Sequence, residues 1–147
     1  MVWIYLLLAL AAGTALPVQA GVNASLAKWT GHSALAALIS FAVGSVLLLA
    51  YALALRPALP AASHLAQAPW WAWVGGALGA FFIVSSIILV PKLGAALYVA
   101  LVIAGQTMCA LVLDHFGLLG YEVRPVNFWR AVGALVLLCG VALIRRF

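Results

Sequence analysis

The sequence predicts an all-α integral membrane protein with five transmembrane helices, on three observations. Hydrophobic residues make up 69% of its 147 positions and charged residues only 6%, whereas soluble domains are about half apolar and about a quarter charged. The apolar residues gather in runs long enough to cross lipid, which takes about 20 residues per helix. The charged side chains (Lys28, Arg56, Lys92, Asp114, Glu122, Arg124, Arg130, Arg145 and Arg146) lie between or at the ends of those runs, where membrane interfaces place them.

Span one is expected within residues 2–27, ahead of Lys28. Residues 2–16 are apolar, and Val18-Gln19-Ala20 loosely resembles a signal-peptide cleavage site. No positive n-region precedes it, so the segment is expected to stay as a span. Span two covers residues 33–55, bounded by His32 and Arg56. Pro57, Pro60 and Pro69 then break any helix. Span three, residues 70–90, opens on Trp70-Trp71-Ala72-Trp73, an interfacial aromatic belt to which Trp3, Tyr5 and Trp129 also belong. Pro91-Lys92-Leu93-Gly94 reads as a tight turn into span four, residues 95–113. Residues 114–127 form a polar loop with Gly117, Gly120 and Pro125. Span five, residues 126–144, ends in Arg145-Arg146. Its charge-free part, residues 131–144, is too short to cross alone. Arg130 therefore lies near an interface or inside the bundle.

The whole chain reads as one transmembrane domain. The net charge of +5 is not a nucleic-acid signature, because the basic residues are dispersed singly. Alternation of five spans puts Arg56, Arg124 and Arg130 on the N-terminal side and Lys28, Lys92, Arg145 and Arg146 on the other. Orientation follows from a large Lys/Arg imbalance, and three against four gives almost none. The chain inserts either one way or both ways, the latter permitting an antiparallel homodimer.

Polar groups in lipid are costly and usually face a bundle interior. Gln19 and Asn23 are four apart on span one and share a helix face. Pro17 between the flanking glycines Gly13 and Gly21 favours a kink and close approach by a neighbour. One reading is a broken helix lining a central cavity; the plainer one is interhelical hydrogen bonding and packing. Gln106 and Asp114 are expected on one face of span four, with Tyr98 near its start as a further candidate lining residue. Asp114 and His115 form a titratable pair at a cavity mouth, suited to gating or ion coupling. Alternatively, Asp114 is a structural partner for Arg130. Arg130, Gly133, Leu137 and Gly140 recur at helical spacing, pointing Arg130 inward, where it binds an anionic group or pairs with Asp114. Gly75 and Gly79, with Gly76 and Ala80 beside them, form a small-residue packing pattern. Cys109 and Cys139 lie in apolar runs and read as buried free thiols. His32, His64 and His115 fall on loops. There is no metal-ligand cluster, nucleophile elbow or phosphate loop, and no carboxylate in the middle of a span. No cofactor and no enzymatic activity are expected.

Several motifs resemble the YdcZ-like family of bacterial inner-membrane proteins. They are Pro17-x-Gln19-x-Gly21-Val22-Asn23-Ala24-x-Leu26, Ser40-Phe41-x-x-Gly44, Pro91-x-Leu93-Gly94-Ala95, Gly105-Gln106, Asp114-His115-Phe116-Gly117-x-x-Gly120 and Arg130-x-x-Gly133. Their order and spacing cover nearly the whole chain. That family is similar to the drug/metabolite transporter superfamily, whose larger members carry ten helices as two inverted five-helix repeats. The resemblance implies that this chain is one repeat in the bacterial inner membrane, completed by a second copy or a homologous five-helix chain. It implies a secondary transporter of a small metabolite or amphipathic compound, working as an antiparallel homodimer with alternating access. Gln19, Asn23 and Gln106 would then line the cavity. The alternative is a non-transporting membrane subunit that assembles with or regulates a partner.

Overall fold

The computed structural model describes residues 2–147, apart from the His64 side chain. The described residues form an all-helical chain whose long helices are α1 (Val2–Thr30), α2 (Ser33–Leu55), α4 (Gly75–Leu93), α5 (Ala95–Phe116) and α6 (Phe128–Arg146). A short α3 (Ala62–Leu65) interrupts the proline-containing loop, and Trp70–Trp73 forms a 3₁₀ turn ahead of α4. All five expected spans are helices long and apolar enough to cross a membrane.

The boundaries differ in physically informative ways. α1 continues unbroken through Pro17 to Thr30, so the expected broken helix is a continuous one. Proline removes one hydrogen bond from the ladder, and the surrounding turns hold the helix across the gap. Pro91, Lys92 and Leu93, expected as a turn, form the last turn of α4. The break comes only at Gly94, whose φ of 80° starts α5. α5 extends past Asp114 and His115 to Phe116, so His115 is helical rather than in a loop. His32 is the N-cap of α2, its Nδ1 accepting from the Ala34 N–H at 3.1 Å. His64 falls inside α3, and its side chain lies outside the described residues.

The chain forms two compact units, Met1–Lys92 and Leu93–Phe147. In the first, α1 and α2 make the close backbone approach. Ala36 and Ala37 of α2 pack with Ile83 and Ile87 of α4, and Leu26 and Ala27 of α1 close the cluster. Small α2 side chains bring the helices together, and branched α4 side chains fill the space. In the second, α5 and α6 form an antiparallel-type hairpin in close backbone contact, with Ala104, Ala134 and Val141 buried. Most large apolar side chains of all five helices are exposed, as a lipid-facing or partner-facing surface requires. Trp3, Tyr5, Trp70, Trp71, Trp73 and Trp129 are all exposed, in keeping with interfacial anchoring.

Candidate functional site

The polar hardware gathers at the α5–α6 connection. α5 ends on Gly117, which takes a left-handed conformation (φ 61°, ψ 34°) and donates its N–H to the Leu113 carbonyl. Such a cap satisfies an otherwise orphaned helix-end carbonyl. A Cβ at this position would sit 2.6 Å from Val123 Cγ2 and 3.3 Å from the Tyr121 carbonyl oxygen. The chain then folds back, and the Arg124 N–H donates to the Asp114 carbonyl oxygen at 2.8 Å. The Val126 N–H donates to His115 Nδ1 at 3.0 Å. Asn127 caps α6, its Oδ1 accepting from the Arg130 N–H at 2.9 Å.

Arg130 locks this clasp. One guanidinium nitrogen donates to Asp114 Oδ2, and another donates to the Arg124 carbonyl oxygen at 2.6 Å. The two side chains are 32% and 21% exposed, so the pair is shielded from full screening. Of the two alternatives for Asp114, the structure contains the ion pair with Arg130. The hydrogen bond accepted at His115 Nδ1 fixes the orientation of the ring against the returning chain. Outside the spans, the Arg124 guanidinium also pairs with Glu122 at 2.7 Å. That hydrogen bond, reinforced by the carboxylate charge, raises the Arg124 pKa above its ordinary value. The sequence marks Gly117 and Arg124 as loop residues without indicating their part in this clasp, and it does not single out the Asn127 side chain. Asn127 had a signal, an N-cap residue just before an apolar run. Arg124 contributes backbone atoms, which leave no side-chain pattern.

The expected span-interior residues separate. Asn23 is buried, 3% exposed, and its Nδ2 has no hydrogen-bond partner. Gln19, one turn earlier, is exposed, and so is Gln106. Tyr98 is buried. Pro17 is half-buried and Gly21 is exposed. The glycines do not meet close neighbours: a Cβ at Gly21, Gly75, Gly133 or Gly140 would touch nothing within 4 Å, and at Gly79 it would meet only the Phe41 ring at 3.5 Å. Cys109 and Cys139 are free, as expected, but exposed rather than buried. An apolar run identifies a span without saying which of its faces packs.

Surface grooves occur between helices of each unit. One, about 480 Å³, lies between α5 and α6, lined by apolar side chains such as Met108, Val112 and Leu138, with His115 at its edge. Another, about 380 Å³, lies between α2 and α4 beside Phe41, Gly76 and Ala80. Gln19, Asn23, Gln106 and Tyr98 line neither of them. Among the described residues, no three His, Cys, Asp or Glu side chains converge as a metal site.

Comparison with known proteins places the chain among inner-membrane proteins. A family described as "Putative inner membrane exporter, YdcZ" matches residues 4–143. The chain is similar to the inner membrane protein YdcZ of Escherichia coli (strain K12), 29% identical over 137 residues, covering 93% of this chain and 91% of that protein. No solved structure matches the chain. The near end-to-end family match and the five membrane-spanning helices lead to one conclusion: the chain belongs to the YdcZ family and is a multi-pass inner-membrane protein.

Proposed function

We propose that this protein is a secondary-transporter protomer that moves a small metabolite or amphipathic compound across the inner membrane as an antiparallel homodimer. The observation that carries the reading is the family match across residues 4–143, a family described by export. Several features support the missing second half. Gln19 and Gln106 are exposed within membrane spans, where lipid-facing amides are unfavourable and a protein or aqueous neighbour is expected. Glycine faces on α1, α4 and α6 stand open, suited to close approach by another helix. The three-to-four balance of basic residues lets copies insert in both orientations. In this reading Gln19 and Asn23 of α1, and Tyr98 and Gln106 of α5, are the substrate-facing residues, and rocking of one protomer against the other alternates access. Asp114, His115 and Arg130 brace or gate its mouths.

The test is solute flux into liposomes holding the purified protein, over a metabolite panel. The reading expects saturable flux of at least one compound. An intact, dimeric protein that moves none would overturn it. A second reading, a non-transporting subunit of a partner membrane protein, draws support from Asn23 being packed and from the two grooves lacking the span amides. The same assay separates the two.

A further inference from the structure

We infer that the substrate carries a neutral or anionic headgroup with an oxygen hydrogen-bond acceptor, received by Asn23, and that it is not a cation. This rests on the transporter reading above.

The chain contains two side-chain carboxylates. Glu122 is taken by Arg124, and Asp114 by Arg130. A cation leaving water for a membrane cavity needs a carboxylate or a cage of aromatic faces. Both carboxylates are paired, and among the described residues Tyr98 is the one aromatic buried within a protomer.

The unmet demand has the opposite sign. Asn23 Nδ2 is a buried donor with no acceptor. Buried polar groups are nearly always paired, and an exception calls for a partner not yet present. Arg130 is the weaker anchor, because its charge is already balanced by Asp114 and two of its five N–H donors go to Asp114 and the Arg124 carbonyl. A carboxylate or carboxamide oxygen satisfies the Asn23 amide. A quaternary ammonium gives it nothing. A site built around an unpaired donor rejects ligands that cannot fill it.

The experiment uses purified dimer in liposomes and matched compounds that share one hydrocarbon body and differ in headgroup: carboxylate, carboxamide or trimethylammonium. Several phenylalkyl and alkyl bodies make up the set. The expected result is saturable uptake of carboxylate or carboxamide members and none of ammonium members. Asn23→Leu should lower that uptake by about tenfold to a hundredfold, the range for one hydrogen bond to a charged group. Asn23→Gln keeps the donor and should recover part of it. Transport confined to ammonium members would overturn the inference and leave the transporter reading standing. Uptake of carboxylates that is unchanged in a folded Asn23→Leu variant would remove Asn23 from the role. Absence of flux for every headgroup, with the dimer intact, would overturn the transporter reading and this inference with it.

Discussion

Breaking the Asp114–Arg130 pair should separate the α5–α6 hairpin more than its place at a helix end suggests. Exposed ion pairs contribute about 0.2–1 kcal/mol, whereas breaking a fully buried pair costs about 3–5 kcal/mol. Here the side chains are 32% and 21% exposed, between those limits. The contact is also a charge-assisted hydrogen bond, for which about 1.5–3 kcal/mol is typical. The two single variants should differ. Asp114→Ala leaves Arg130 its bond to the Arg124 carbonyl at 2.6 Å. Arg130→Ala removes both contacts and strands a partly buried carboxylate, so it is the costlier change. A double-mutant cycle isolates the pair. Unfolding of the four proteins in detergent, followed by tryptophan fluorescence, should give a coupling of about 1.5–3 kcal/mol. A coupling below about 0.5 kcal/mol, the level of an exposed pair, would refute the clasp as a structural element.

Three further changes have defined outcomes. Asn23→Leu should raise thermal stability by about 1–3 kcal/mol, because it replaces an unpaired buried donor with an apolar side chain of similar size; a loss of stability would mean that the amide is satisfied in the membrane. Gly117→Ala should destabilise by at least about 1–2 kcal/mol from the left-handed backbone alone, with the Val123 contact at 2.6 Å adding to it; an unchanged melting temperature would show that α5 ends differently. Ala36→Leu inserts a large side chain at a position with 0% exposure and should cost about 1–3 kcal/mol through overpacking, read as a lower melting temperature in the same assay.

The spans were legible because lipid imposes a length and a hydropathy that no soluble helix needs. The Asp114–Arg130 pair was legible too: opposite charges end one span and begin the next on the same side of the membrane. Faces were harder. Gln19 and Asn23 differ by about 40° around a helix and Gln106 and Asp114 by about 80°. The buried stripe of α1 is narrow, with Ala20 and Asn23 its buried members. An offset of 40° therefore suffices to put Gln19 outside it. In the same way Asp114 is half-buried while Gln106 is exposed. The glycine patterns mark faces fit for close contact without naming the neighbour, and within one protomer most remain open. Cys109 and Cys139 show the same gap: hydropathy placed them in spans, and only packing decided that they face outward.

The proposed transporter consists of two oppositely inserted copies. Lys or Arg residues added to one side or the other should lock the chain into a single orientation. Flux is then measured in vesicles holding either locked form alone or both together. The account predicts that neither form transports alone and that the mixture recovers the wild-type rate. Full transport by one locked form on its own would contradict it.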